Sequence, residues 1–342
     1  MTTKPVPSKD EPRPSLSDVA VASEVAVSTA SRVLNGKTKN FSVRADVRER
    51  ILTNAKRLGY RPNINAQTLR RNTTGYVAVL GLRMLSRAIH DPADSVIDLI
   101  AERLAKNGLH LTTTFVSGDE DGYDLPPWQV DAAVVVRATR EDDFRHVERT
   151  GLPYVSLNTP AGPSGSAVLV DDRAAMHELL GHLQSRGHRR IAYASHPDAD
   201  PHVSQADRLS AYIECIHAAG QTPLHLRGGS PDSMAEPLQA ALEHGTTAIV
   251  TYNHFMAANL VAATAERGVS VPGQMSIATY NDEYPVRHLS PSITSVGHPK
   301  EQMADEAVRL LLEATGKQKS SPETLRLPMQ LVPRRSTGVA VS

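Results

Sequence analysis

The chain has a single cysteine, Cys215, among its 342 residues. One thiol cannot close a disulfide within the chain or supply a multi-thiolate metal centre, and it fits a reducing compartment, with Cys215 expected in the core. Long hydrophobic runs are also missing. No stretch reaches the roughly 20 apolar residues that span a bilayer, and the N-terminus carries charges and prolines where a secretory signal is apolar. The expectation is a cytoplasmic protein with no membrane partner. Enzyme signatures are absent too: there is no Gly-x-Gly-x-x-Gly, no Gly-x-x-x-x-Gly-Lys-Ser/Thr loop, no Gly-x-Ser-x-Gly elbow and no His-Glu-x-x-His. Asp171 and Asp172 begin a helix, where the dipole accounts for carboxylates. His196 and His202 flank a loop and His182 and His188 end a helix, and neither pair has the i, i+4 spacing of helical ligands. No catalytic activity, metal or cofactor is expected.

Net charge is absent as well, but only as a sum. The chain balances 37 Lys+Arg against 37 Asp+Glu, yet residues 1–72 hold 14 against 6, leaving 23 against 31 beyond them. A local basic excess attracts DNA phosphates, and the acidic remainder confines that attraction to one end. Residues 1–14, with four prolines and few apolar side chains, read as a solvated tail.

Beyond that tail the apolar spacing turns helical. Leu16, Val19 and Ala20 follow Ser15, a candidate N-cap; Ala30, Val33 and Leu34 share one face of a second short helix. The opposite stripe of that second helix carries Ser28, Ser31, Arg32 and Asn35, with Val27 and Thr29 at its leading end, which is the geometry of a recognition helix. Val47, Ile51, Ala55 and Leu58 give a longer third helix ended by Gly59 and Pro62. A three-helix adaptor has the same apolar spacing; the charge asymmetry favours a DNA-binding domain over residues 15–61.

Three motifs in order, Leu16-Ser17-Asp18-Val19-Ala20, Thr29-Ala30-Ser31-Arg32-Val33-Leu34-Asn35 and Leu58-Gly59-Tyr60-Arg61-Pro62-Asn63, closely resemble the LacI/GalR (lactose-repressor/galactose-repressor) family. The resemblance implies a helix-turn-helix headpiece contacting an operator in double-stranded DNA through Ser17, Tyr60 and Asn63 as well as the recognition helix. It also implies a hinge over 62–73, in which Ala66 packs in the minor groove and Leu69 is a wedge that kinks a central CG step. An ordinary linker is the other reading for residues 63–71, since nine polar-rich residues hold no stable helix alone.

Over 75–335, β-rich runs (Tyr76–Leu82, Leu109–Phe115, Val134–Val136, Ile191–Ala194, Ala248–Thr251 and Ser276–Tyr280) alternate with helical patterns, which implies parallel sheets covered on both faces. The resemblance narrows this α/β class to a periplasmic-binding-protein-like core of two doubly wound subdomains over 74–338. One spans about 74–171 and 298–330, the other about 172–297. Small ligands bind beyond the carboxyl ends of such strands, and the resemblance places effector contacts at Asn158, Asn253, Asn281, Asp282 and Arg208, with His90 a weaker candidate. A helix-surface salt bridge is the alternative for Arg208.

Departures from the family pattern are informative. Asn158 and Asn281 stand where sugar-binding members often carry carboxylates, and no aromatic ring lies near Ser230. The stretch Asp119–Trp128 is too short and broken for a helix. The usual Ala-Gly-Val-Ser turn reads Ser23-Glu24-Val25-Ala26, so both its glycine and the serine cap are missing. Family members act as dimers, and Val96, Ile97, Ile100 and Leu104 offer an apolar helix face for that contact or for core packing. The reading is a repressor, a homodimer controlled by a small-molecule effector, most simply a sugar or sugar derivative. The alternative is a cytoplasmic small-molecule-binding protein with a degenerate headpiece.

Overall fold

The structure is a computed structural model that describes residues 14–34, 42–60, 73–81, 92–113, 122–195, 202–227, 233–316 and 321–341. It divides into two compact units, Met1–Thr74 and Gly75–Ser342.

The first unit contains α1 (Leu16–Ala22), α2 (Val27–Leu34) and α3 (Ala45–Leu58). Ser15 caps α1: its hydroxyl accepts from the Asp18 amide at 3.3 Å while the Asp18 carboxylate accepts from the Ser15 amide at 2.7 Å. This reciprocal pair satisfies two donors that a helix start otherwise leaves open. Gly59 ends α3 in the left-handed conformation at φ 69°. The core is small: Val19, Ala20, Ala30, Val33, Ile51 and Ala55 are buried, while Val47 and Leu58 pack at its edge. Asn63, Ala66 and Leu69 of the expected hinge lie outside the described residues, as does Asn35.

The second unit holds two six-stranded sheets. Its strands are β1 (Tyr76–Leu80), β2 (His110–Thr113), β3 (Ala132–Val136), β4 (Tyr154–Leu157), β5 (Ser166–Val170), β6 (Ile191–Ser195), β7 (Leu224–Arg227), β8 (Ala248–Thr251), β9 (Ser276–Tyr280), β10 (Thr294–Gly297), β11 (Thr324–Leu327) and β12 (Gln330–Val332). The first sheet runs β11-β5-β4-β3-β1-β2 and the second β12-β10-β9-β8-β6-β7; every pairing is parallel except β10 with β12. The helices are α4 (Pro92–Lys106), α5 (Arg145–Thr150), α6 (Asp172–Gln184), α7 (Val203–Ala218), α8 (Ala235–Glu243), α9 (His254–Glu266) and α10 (Lys300–Thr315). The β-strands read as almost unbroken apolar runs because a parallel sheet is buried on both faces, and β1, β3 and β5 show it in Val77–Leu80, Ala132–Val136 and Ala167–Val170. No helix among the described residues is long and apolar enough to cross a membrane.

Several expectations need correction or refinement. β12 returns to the second sheet, a third crossing between the sheets after those expected near 171 and 298. Val96, Ile97, Ile100 and Leu104 are all buried within the single chain, so this face of α4 belongs to the core. Cys215 is only partly buried, and its thiol lies 3.0 Å from His177 Nδ1. Burial and the neighbouring Glu214 raise the thiol pKa, which keeps it protonated. Residues 122–131 contain neither helix nor strand, in line with the broken pattern there.

The C-terminal segment straps the second sheet. Ser336 Oγ accepts from the Thr294 amide at 2.8 Å and donates to the Ile277 carbonyl at 2.5 Å, and the Ala340 amide donates to the Arg186 carbonyl at 2.9 Å. His188, 1 % exposed, closes the strap, with Nε2 3.1 Å from the Gly338 carbonyl and Nδ1 2.9 Å from the Thr247 hydroxyl. Nε2 therefore carries a proton toward the Gly338 carbonyl, and a pKa lowered by burial favours the neutral ring in which Nδ1 accepts from Thr247. Burial lowers the His188 pKa, with Arg186 adding to the effect and the Gly338 carbonyl opposing it. A histidine held neutral contributes stability above its unfolded pKa of about 6.5, and that contribution is lost as pH falls from there toward the lower folded value. Chemical denaturation of the full chain is thus expected to show stability falling between about pH 7 and pH 5, with a shallower slope in His188→Gln; equal slopes would remove His188 from the account.

Candidate nucleic-acid interface and ligand cleft

In the first unit, the buried edge of α2 fixes what its other side offers. Ala30 and Val33 face the core, which leaves Val27, Ser28 and Arg32 exposed, with Val27 46 % accessible, and Thr29 and Ser31 partly so. Ser17, in the first turn of α1, is exposed as well. Tyr60 is half-buried against the small core, its amide bonded to the Ala55 carbonyl at 2.9 Å, and burial raises its phenol pKa. A valine can press on a thymine methyl, a serine can bond weakly to any base edge, and an arginine reaches phosphate or guanine.

The turn into α2 is held unusually. Glu24 takes φ 51°, a left-handed conformation that costs a residue with a side chain roughly 1–2 kcal/mol. Ala26 precedes the helix, and its methyl group cannot accept the amide hydrogen bonds that a serine cap would take, a loss of about 1 kcal/mol. Support arrives instead from α3. Asn54 Nδ2 donates to the Ala22 carbonyl at 2.8 Å and to Ser23 Oγ at 3.1 Å, and Arg50 Nε donates to the Ser23 carbonyl at 3.0 Å. Neither residue stands out in the sequence, because an exposed-face asparagine and arginine on a basic helix look like ordinary solvated positions.

In the second unit, polar groups gather at the carboxyl ends of the strands. Four non-glycine residues have positive φ among the described residues, and three of them directly follow a strand: Arg137 after β3, Asn158 after β4 and Asn281 after β9. Backbone strain of this sort concentrates at functional positions. Asn158 Oδ1 accepts from the Val170 amide at 3.4 Å, Asn253 caps α9 by accepting from the Met256 amide at 3.0 Å, and Asn281 Oδ1 is buried with no hydrogen-bond partner.

Arg208 anchors this region from α7. Its side chain is 3 % exposed, so it is not a surface ion pair: Nε donates to Asp172 Oδ1 at 2.7 Å and Nη1 to the Tyr252 carbonyl at 2.7 Å. The guanidinium also lies over the Tyr280 ring at 4.0 Å and the Tyr252 ring at 4.9 Å. Burial lowers its pKa, but the Asp172 charge and the surrounding rings more than compensate and leave it raised. Tyr252 precedes Asn253 and Tyr280 precedes Asn281, so Arg208 ties down both strand ends whose next residue is a candidate. Tyr280 closes the loop by donating its hydroxyl to the Asp172 carbonyl at 2.8 Å. Sequence reading explained Asp171 and Asp172 together by the helix dipole. The structure separates them: Asp171 is the N-cap, accepting from the Ala174 amide at 2.9 Å, while Asp172 is the buried partner of Arg208.

Asp282 has a different role from the asparagines. Ser295 Oγ donates to it at 2.8 Å and Arg334 Nη2 at 2.8 Å, with Arg287 Nη2 at 3.2 Å. Burial raises its pKa, but these hydrogen bonds and the charges of Arg334 and Arg287 bring it below the usual carboxylate value. Arg334 carries no sequence signal for this role, because only the fold brings it to Asp282. His90 lies outside the described residues, as do the stretches 82–91, 196–201 and 228–232 that follow β1, β6 and β7. A separate cavity of about 830 Å³, lined by Arg140, Glu141, Phe144, Arg145, Pro160 and Val203, touches none of the five described candidates.

Comparison with known proteins follows this geometry. The family model "Bacterial regulatory proteins, lacI family" matches residues 15–63, and "Periplasmic binding protein-like domain" matches residues 180–337. An HTH-type transcriptional regulator encoded in the aml 5′ region of Streptomyces limosus is 30 % identical, covering 98 % of both chains. Among solved structures, the lac repressor dimer bound to operator and an anti-inducer aligns with TM-score 0.77 at 22 % identity over 96 % of this chain and 100 % of that one. The transcriptional regulator CelR in complex with cellobiose aligns with TM-score 0.65 at 24 % identity over 95 % and 100 %.

Breaking a buried ion pair strands a charge, whereas replacing both partners does not. Arg208→Met should therefore cost about 3–5 kcal/mol in chemical denaturation, and Asp172→Asn combined with Arg208→Met should recover more than half of that. Additive losses would mean that the two groups act separately.

Proposed function

This chain belongs to the lacI family of bacterial regulatory proteins and is a DNA-binding transcriptional regulator, not an enzyme; on that premise we propose that it is a cytoplasmic repressor that binds a pseudo-palindromic operator as a homodimer. The observation that carries this reading is the face of α2, whose apolar side is buried while Val27, Ser28 and Arg32 stand exposed in a segment with a net basic excess. Residues 15–61 form the operator-reading headpiece, with Ser17, Val27, Ser28, Thr29, Ser31, Arg32 and Tyr60 as its contacts, and 62–73 the hinge. Asn35, Asn63, Ala66 and Leu69 complete the proposed set from outside the described residues.

The core over 74–338 takes a small-molecule effector between its two lobes. Arg208, Asn158, Asn253, Asn281 and Asp282 border that site, with His90 as a further candidate. Asparagine amides both donate and accept, which suits hydroxyl-rich ligands, and the relative solved with cellobiose supports a sugar or sugar derivative. Binding that differs between two lobe arrangements changes operator affinity through the hinge.

Selection from random duplexes tests the reading. The intact chain should enrich a palindrome of roughly 20 base pairs with a central CG, and a shortened chain starting at Thr74 should enrich none. No motif from the intact chain, with or without candidate sugars, would leave the small-molecule-binding alternative. A thermal-shift screen of sugars and sugar phosphates addresses the core: a ligand at about 100 times its Kd stabilises by roughly 2.7 kcal/mol, and Asn281→Ala and Asn253→Ala should each diminish the shift. A shift that both variants leave intact places the ligand elsewhere.

A further inference from the structure

We propose that Asn54, assisted by Arg50, is a positioning residue for DNA reading: from α3 it sets the entry of α2, in place of the turn glycine and capping hydroxyl that Ser23–Ala26 lacks. The proposal rests on the assignment of α2 as the operator-reading helix.

A helix-turn-helix reads bases only if its second helix enters the groove at a fixed angle, and the turn between the helices sets that angle. Here the turn has lost both local devices that would fix it. Glu24 occupies a left-handed conformation that glycine adopts freely, and Ala26 offers no side-chain oxygen to the first amides of α2. Local backbone bonds remain: the Ser23 amide reaches the Val19 carbonyl at 3.0 Å, Glu24 reaches Val21 at 3.1 Å and Val25 reaches Ala20 at 3.1 Å.

Asn54 and Arg50 act at this point. The carbonyls of Ala22 and Ser23 are among those a helix end leaves without intrahelical partners, and both are taken up by α3 side chains. The same Asn54 amide nitrogen reaches Ser23 Oγ, and Ser23 is fully buried, so its hydroxyl has its partner from α3 as well. Arg57 Nε donates to Asn54 Oδ1 at 3.3 Å, which fixes which end of the amide faces the turn. The brace therefore joins the end of α1 to the middle of α3, a few residues ahead of the start of α2. Val27 and Ser28, the first two residues of α2, follow directly, and base contacts tolerate little displacement because hydrogen bonds weaken steeply beyond ordinary lengths.

A brace that serves stability alone would change melting and leave base preference untouched once the domain is folded. The test measures binding of the full-length chain to the duplex it enriches and to a scrambled duplex of equal length, at one salt concentration. Four proteins are compared: the parent, Asn54→Ala, Glu24→Gly with Ala26→Ser, and the combination of all three changes. Asn54→Ala should weaken the enriched duplex about tenfold and the scrambled duplex less than twofold, with helical circular dichroism unchanged at the assay temperature. In the background with the restored turn, the same Asn54→Ala change should cost less than twofold. Equal losses on both duplexes, no loss on either, or a tenfold loss that persists with the restored turn would each overturn the proposal. If Asn54→Ala is unfolded at the assay temperature, Asn54→Asp takes its place under the same criteria, being of equal size with no N–H to give. A parent that prefers no duplex removes the DNA-reading assignment and this proposal with it; a parent with a preference but a failed cycle removes the proposal alone.

Discussion

The ion pair between Arg208 and Asp172 is the constraint around which the larger unit is arranged. Asp172 comes two residues after β5, the last strand of the first sheet before the chain enters the second, and it opens α6; Arg208 lies on α7. Two unit charges taken from water carry a desolvation penalty of several kcal/mol each, so the pair persists only because every side of it is used. Asp172 receives the guanidinium on its carboxylate and the Tyr280 hydroxyl on its carbonyl, and Arg208 has a carbonyl and two aromatic faces besides. The ends of β8 and β9 are thereby tied to the point where the chain changes sheets. The cluster lies beside the asparagines proposed to meet the effector.

The strap formed by the C-terminal segment complements that arrangement. Thr294, Ile277 and Ser276 belong to the central strands of the second sheet or their edges, and Ser336 and Gly338 bond to all three. With Asp282 engaged by Arg334, the same segment fixes the loop after β9. The strand end that carries Asn281 is therefore held from two directions, by Arg208 through Tyr280 and by Arg334 through Asp282. Asn281 itself keeps an unpartnered carbonyl oxygen between them. A buried acceptor left open costs free energy, and in the proposed function a ligand hydroxyl is the donor assigned to it.

Much of this was legible in the sequence, and the residues show why the rest was not. The three helices of the headpiece, Ser15 as a cap and Gly59 as a terminator depend on local spacing and backbone preference, which sequence carries directly. Strands β8 and β9 begin and end where their apolar runs do, because burial on both faces demands such runs. The edge strands β7, β11 and β12 have mixed exposure and gave no comparable signal. Asp172 was indistinguishable from a helix-start carboxylate, since only the fold brings Arg208 to it. The resemblance singles out Arg208 but carries no sign of its burial. Asn54 and Arg50 were invisible for the same reason: their partners are carbonyls more than 25 positions away, and no sequence pattern records a bond to a backbone oxygen.

The headpiece illustrates how a fold tolerates the loss of local signals. Its core rests on six buried side chains from three helices, which leave little reserve stability. A left-handed glutamate and an uncapped helix together cost that reserve a sizeable fraction, yet both occur in the one turn on which base reading depends. Tertiary hydrogen bonds from α3 offset them by satisfying carbonyls that any helix end leaves open. The consequence is a shift in where specificity is encoded. When a turn is fixed by its own residues, the recognition helix can be exchanged with the turn as one module. When it is fixed by α3, as here, orientation and recognition are set by different segments, and the short Val27 and Ser28 side chains, which reach only a little way toward a base edge, leave that orientation little room for error.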